Sequence, residues 1–174
     1  MMMAVQDWVT PDDPVDLRQA LGCFATGITI ITGTTPAGTR FGLTASSFQP
    51  VSLTPPLVLY SIRKGAASIG LVKDSGSFCV NVLRHDHAEL AKRFAAPVAD
   101  RFEGLEWYSG CLGCPVLPDA IASFECRLWA TYDGGDHEIV VGEVAKLRRA
   151  RDGNPLVYFR GEFHPIIPAA PRSA

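Results

Sequence analysis

From Ala25 to Thr34 the chain reads Ala-Thr-Gly-Ile-Thr-Ile-Ile-Thr-Gly-Thr, a run rich in β-branched residues, and the turn chemistry of Thr35-Pro36-Ala37-Gly38 follows at once. That pairing predicts a hairpin into a strand around Arg40 to Phe48. Further strands are predicted at residues 57–62, 78–83, 123–132, 138–147 and 156–160; in one of them Phe78, Val80 and Val82 alternate with Cys79, Asn81 and Leu83. Helical signals are short and irregularly placed. Asp13-Pro14 starts one over residues 14–24, a second falls between Ala66 and Asp74 and is ended by Gly76, and Asp86-His87-Ala88-Glu89 opens a third like a capping box, running to about Ala96. Hairpin-joined strands with three short helices inserted predict a mainly β chain, a closed antiparallel sheet under helical covers. A doubly wound sheet needs regular alternation of strand and helix, and the Gly-x-Gly-x-x-Gly fingerprint of a Rossmann site does not occur.

The 174 residues suit one domain with a core over about residues 16–163 and a loose tail at residues 164–174. A formal charge of -2 argues against nucleic-acid binding, and no apolar run approaches the length of a membrane span. The first residues carry neither a basic stretch nor an apolar stretch of the secretory kind, so a cytoplasmic protein is expected. Lys146, Arg148, Arg149 and Arg151 form a local positive cluster, read as a solvated strand end with a lesser claim on a dinucleotide phosphate. Five cysteines at uneven spacing fit reduced thiols better than a disulfide framework.

Chemistry concentrates in two places. Between Gly42 and Ile62, small hydroxyl residues (Thr44, Ser46, Ser47, Ser52) sit between apolar runs and close on Pro55-Pro56, which reads as a binding loop admitting a flat polar ligand to backbone amides; an ordinary Ser/Thr-rich turn is the plainer alternative. Further on, Gly134-Gly135-Asp136-His137 puts a histidine at the mouth of a strand, where a solvated surface group is again the plainer reading. Cys111-Leu112-Gly113-Cys114, with His85 and His87, makes a poor zinc signature, and loop packing is expected there instead of a metal. Ser46 or Ser47 with His137 would suggest hydrolysis, but no Gly-x-Ser-x-Gly elbow is present. Residues 97–122 form a long Gly- and Pro-rich connection of the kind that covers a site.

Taken in order, several runs resemble the short-chain flavin reductase family, the NAD(P)H-dependent partners of two-component flavin monooxygenases. The matching runs are Phe24 to Thr32, Gly42 to Phe48, Val51 to Leu57, Phe78 to Leu83, Leu90 to Ala95, Arg101-Phe102, Gly135-Asp136-His137 and Pro155 to Gly161. The resemblance implies a split β-barrel of the FMN-binding Greek-key type, a homodimer with flavin sites near the subunit interface, and a monooxygenase that receives reduced flavin. It implies that Thr44, Ala45, Ser46 and Ser47 line the isoalloxazine and ribityl chain, with Ser52 and Leu53 near the ring. Ser61, Lys64 and Ser68 would meet the flavin phosphate, and Phe94 and Arg101 are further flavin contacts. His137, with Asp136, Thr26 and Gly27, would border the nicotinamide of NADH or NADPH. Much of the family carries asparagine where Ser46 stands.

Those residue types suit the implied chemistry. Hydride transfer between nicotinamide and FMN or FAD needs stacked rings rather than a protein acid or base at the reacting atoms, so positioning is the protein's main contribution. A flavoenzyme of the same fold acting directly on an organic substrate, or a flavin- or haem-binding protein without turnover, are the rival readings.

Overall fold

The computed structural model describes residues 10–166. Helix α1 (Pro14–Leu21) begins as its sequence dictates: the Asp13 carboxylate accepts from Val15 N at 2.8 Å, and Pro14 occupies a first-turn position that needs no N–H. The chain continues as β1 (Thr26–Gly27), β2 (Thr29–Thr34), β3 (Arg40–Ala45), β4 (Gln49–Leu53), β5 (Pro56–Arg63), α2 (Ser68–Ser75) and β6 (Ser77–Val82). It then forms α3 (Ala88–Ala95), β7 (Tyr108–Ser109), β8 (Pro115–Val116), β9 (Ala122–Gly134), β10 (His137–Arg149), β11 (Leu156–Phe159) and β12 (Glu162–Pro165).

Seven strands pair antiparallel in the order β3-β2-β6-β9-β10-β5-β4, while β1-β11-β12 and β7-β8 make two smaller sheets. The large sheet does not close through a backbone ladder. It curls until the end of β3 approaches β5, and there Ser47 bridges the gap: its hydroxyl accepts from Ser61 N at 2.9 Å and donates to Ser61 O at 3.3 Å. The result is a split barrel with a seam between β3 and β5. Inside it Tyr60 meets Phe78 edge-on at 5.2 Å among Ile31, Val80 and Val140, and each such fully buried side chain contributes about 1.5–3 kcal/mol. A second core, under α3, holds Ile28, Ile30, Leu83, Phe94 and Leu156.

Several elements differ from the sequence expectation. Between the expected strands around Arg40 to Phe48 and over residues 57–62, the segment read as a binding loop carries a further strand: β4 pairs with β5 as the sheet edge, a position where Pro50 is tolerated. Asp86 does not cap α3; it is drawn to Arg84, with bonds of 2.7 and 2.8 Å that hold its carboxyl at about 2, and His87 stands at the N-cap without a side-chain bond. The connection over residues 97–122 contains β7 and β8, and three inward polar groups pin it. Asn81 Oδ1 accepts from Leu117 N at 3.0 Å, the Glu125 carboxylate accepts from Cys111 N and Leu112 N, and Arg148 donates to the carbonyls of Leu117 and Pro118. Arg148 is therefore part of the loop's scaffold and not of a solvated cluster. Strand β12 runs through Pro165, past the expected start of the loose tail, and residues 167–174 of that tail lie outside the described residues.

Candidate functional site

The seam of the barrel opens into a cleft of about 680 Å³, within the range of small-molecule sites. One wall is β3 and its continuation: Thr44, Ala45, Ser46 and Ser47 all line it. The facing wall is the end of β5, with Ser61 and Arg63, followed by the start of α2, where Ser68 is the first residue. Phe94 and Arg101 close one side, and His137 reaches in from the start of β10. Register explains the last placement, because His137 is the cross-strand partner of Arg63 on β5 and of Gly134 across the two-residue turn Gly135-Asp136.

Two of the hydroxyls have structural duties. Thr44 Oγ1 donates to Ala91 O at 2.7 Å, tying β3 to α3 and leaving its lone pairs as acceptors, and Ser47 is engaged at the seam. The side chains of Ser46, Ser61 and Ser68 make no hydrogen bond among the described residues and are available to a ligand. Phe94 is buried, edge-on to Phe102 at 5.2 Å, so its ring backs the wall. Gly42 permits that packing, since a Cβ there would overlap the Phe94 ring.

The remaining expected site residues lie elsewhere. Lys64 turns to Asp133, with Nζ 2.6 Å from Oδ2, and is not among the lining residues. Ser52 Oγ accepts from Thr54 N at the end of the edge strand, and neighbouring Leu53 is 93% exposed. Thr26 and Gly27 belong to the small sheet, opposite Tyr158 and Val157 of β11. Asp136 is exposed at the turn, where its carboxylate bonds His137 Nδ1 at 2.7 Å; that bond and the imidazole's charge hold its carboxyl below the usual range.

Three guanidinium groups give the cleft its charge, and two of them were not singled out from the sequence. Arg40 lies over the rings of Phe102 and Trp107 at 5.3 and 5.1 Å, Arg63 faces His137 across the strands, and Arg101 donates to Ala96 O at 2.7 Å. Strand parity carried the missing signal: Arg40 shares a face with Gly42 and Thr44, and Arg63 shares one with Ser61.

A flavin nucleotide fits this donor set. Arg101 Nε is buried without a partner, and the N-cap of α2 is Ala67, which offers the first N–H groups of the helix no side-chain acceptor, so an anionic group is favoured beside them. Free hydroxyls and strand-end amides suit the polar edge of a flat heterocycle. The Cys-x-x-Cys run plays no part here. It forms the β7–β8 turn, Gly110 N donating to Cys114 O at 2.9 Å, and no cluster suited to a metal occurs among the described residues. Burial raises the thiols of Cys79, Cys114 and Cys126, the last to about 12.

The likeness to known proteins extends over nearly the whole chain. Residues 21–166 match the family model described as flavin reductase like domain. The chain is 40% identical over 156 residues to the reductase subunit HsaB of a flavin-dependent monooxygenase from Rhodococcus jostii, covering 90% of this chain and 80% of that protein. It is 43% identical over 146 residues to the FMN reductase (NADH) SmoA of Agrobacterium fabrum, covering 84% of this chain and 82% of that one. Among solved structures, the NADH:FAD oxidoreductase SgcE6 of Streptomyces globisporus, in complex with NAD and FAD fragments, superposes with a TM-score of 0.89 at 35% identity. That match covers 95% of this chain and 99% of that one.

Proposed function

Because this chain belongs to the flavin reductase-like family, we propose that it is an NAD(P)H:flavin oxidoreductase that supplies reduced FMN or FAD to a separate monooxygenase. The observation that carries this reading is the seam cleft, where free hydroxyls, three arginines, an uncapped helix start and a histidine converge. A bound flavin supplies the hydride-accepting ring; the chain's own residues supply binding, orientation and exclusion of water. In this reading Ser61 and Ser68, with Arg63, Arg101 and the start of α2, take the phosphate. Thr44, Ala45, Ser46 and Ser47 hold the polar edge of the ring, and Phe94 supports them from behind. His137, fixed by Asp136, orients the nicotinamide.

The protein acts in the cytoplasm as a homodimer. Support for the dimer is the apolar surface left uncovered on one protomer, with Leu53, Trp129 and Tyr132 each more than half exposed. Ser52 and Leu53, outside their own cleft, would then serve at the subunit interface, and Lys64 would have to leave Asp133 to meet a phosphate.

Steady-state assays with each nicotinamide and each flavin test the activity. NADH or NADPH should be oxidised only when FMN or FAD is added, and a chain that neither binds flavin nor oxidises either donor is not a flavin reductase. His137→Ala should raise KM for the nicotinamide about tenfold with flavin affinity changed less than twofold, a split expected for a group that orients one substrate only; equal losses would reject the role.

A further inference from the structure

At the end of β10 remote from His137 lies a pocket of about 400 Å³ that shares no lining residue with the seam cleft. The β7–β8 hairpin forms one side of it, through Tyr108 and Cys111. The start of β9 and the end of β10 form the other, through Glu125, Lys146, Leu147 and Arg148. Tyr108 and Leu147 are large apolar side chains left exposed.

Charge in this pocket is not balanced. Register sets Glu125 opposite Lys146 across β9 and β10, yet the carboxylate is committed to the hairpin, accepting from Cys111 N at 2.8 Å and Leu112 N at 2.9 Å. Gly110 packs against it so closely that a Cβ there would overlap the carboxylate. Lys146 is exposed and makes no ion pair or hydrogen bond among the described residues. Arg148 spends Nη2 on two neutral carbonyls, those of Leu117 and Pro118, and its Nε is buried without a partner. Two cations thus line the pocket against one carboxylate that two N–H groups already hold. An unbalanced positive charge beside apolar side chains favours an anion with an apolar body, and the volume lies near the lower end of small-molecule sites.

We propose that this pocket binds a small aromatic carboxylate, its charged end on Lys146 and Arg148 and its ring against Tyr108 and Leu147. An ammonium on a flexible stem and a guanidinium both give charge-assisted bonds to a carboxylate. The Tyr108 ring packs edge-on or offset against a second ring.

Cys111 reports occupancy, because its thiol is exposed and lines the pocket. Cys23→Ser removes the other exposed thiol among the described residues. In that background the protein is alkylated with iodoacetamide, which is neutral, and the rate at Cys111 is followed by mass spectrometry. Sodium benzoate should slow the alkylation saturably. Benzyl alcohol, a ring without the charge, and inorganic phosphate, a charge without the ring, should each need at least about fivefold higher concentrations. Lys146→Ala and Tyr108→Ala should each raise the benzoate concentration for half-protection about fivefold. No protection by benzoate overturns the proposal. So does equal protection by benzyl alcohol, since the cations would then be unused, or by phosphate, since the ring would be. Half-protection unchanged in both variants places benzoate elsewhere and overturns it as well. Should Tyr108→Ala melt early, Lys146→Ala, at an exposed position without a partner to lose, decides alone.

Discussion

Gly42 carries more of the site than its size suggests. It lies on β3 where the Phe94 ring occupies the space a Cβ would need, so a methyl group must push that ring or the strand aside. Gly42→Ala should cost about 1–3 kcal/mol in urea unfolding and raise KM for the flavin, because Phe94 backs the wall that Thr44 and Ser46 present. A variant as stable as wild type, with unchanged KM, would show that the wall absorbs the methyl group. At this scale the sequence was only partly legible. The hydroxyl residues between Gly42 and Ile62 marked the right region by composition, but nothing local distinguished Ser46, which is free, from Ser47, whose partner Ser61 becomes a neighbour only through curling of the sheet. The same holds for Lys64: its alternative, Asp133, is distant in sequence and adjacent in space.

Helix α3 lines the cleft through Phe94 and Ala95, and it begins at a histidine. Burial lowers the pKa of His87 despite the nearby Asp86 carboxylate. The folded chain therefore prefers the neutral ring, and the unfolded chain takes up a proton first as the pH falls below about 6.5. Stability from this group is complete above that value and declines under it. The melting temperature of the wild type should drop between about pH 7 and pH 5 more steeply than that of His87→Gln, and identical slopes would remove His87 from the account. Strand β6 holds the other decisive element contact. Asn81, fully buried, donates to Ile30 O and Thr32 Oγ1 and accepts from Leu117 N and Ser123 Oγ, so one amide joins β2, β6, β9 and the long connection. Asn81→Ala should destabilise the protein by on the order of 3 kcal/mol, since it strands several buried groups; a loss under about 1 kcal/mol would mean water takes their place. The alternation around Asn81 announced a strand, and α1, α2 and most long strands appeared where β-branching, caps and Gly76 placed them. Strands β4, β7, β8 and β12 did not, because edge and two-residue strands are made by their neighbours rather than by their own pattern.

On the scale of the whole molecule, the proposed homodimer would draw on the exposed apolar residues. Leu53 at the end of the edge strand and Trp129 and Tyr132 on β9 are each more than half exposed. Sedimentation should give a dimer for wild type and a shift toward monomer for Leu53→Glu with Trp129→Glu; a monomeric wild type would contradict the assembly. The fold class was readable because it depends on the order and spacing of strands, whereas the meeting of His137 with Arg63 depends on the register of β10 against β5, and that of Ser47 with Ser61 on how far the sheet bends. That bend stops just short of closure. Where a complete barrel would have a whole ladder, the hydrogen bonds across this gap among the described residues come from the side chain of Ser47, so the line on which the cleft lies is held by one residue's bonds and by apolar packing instead of by a strand's ladder. A guest seated there would rest against a border that the rest of the sheet does not need for its own pairing.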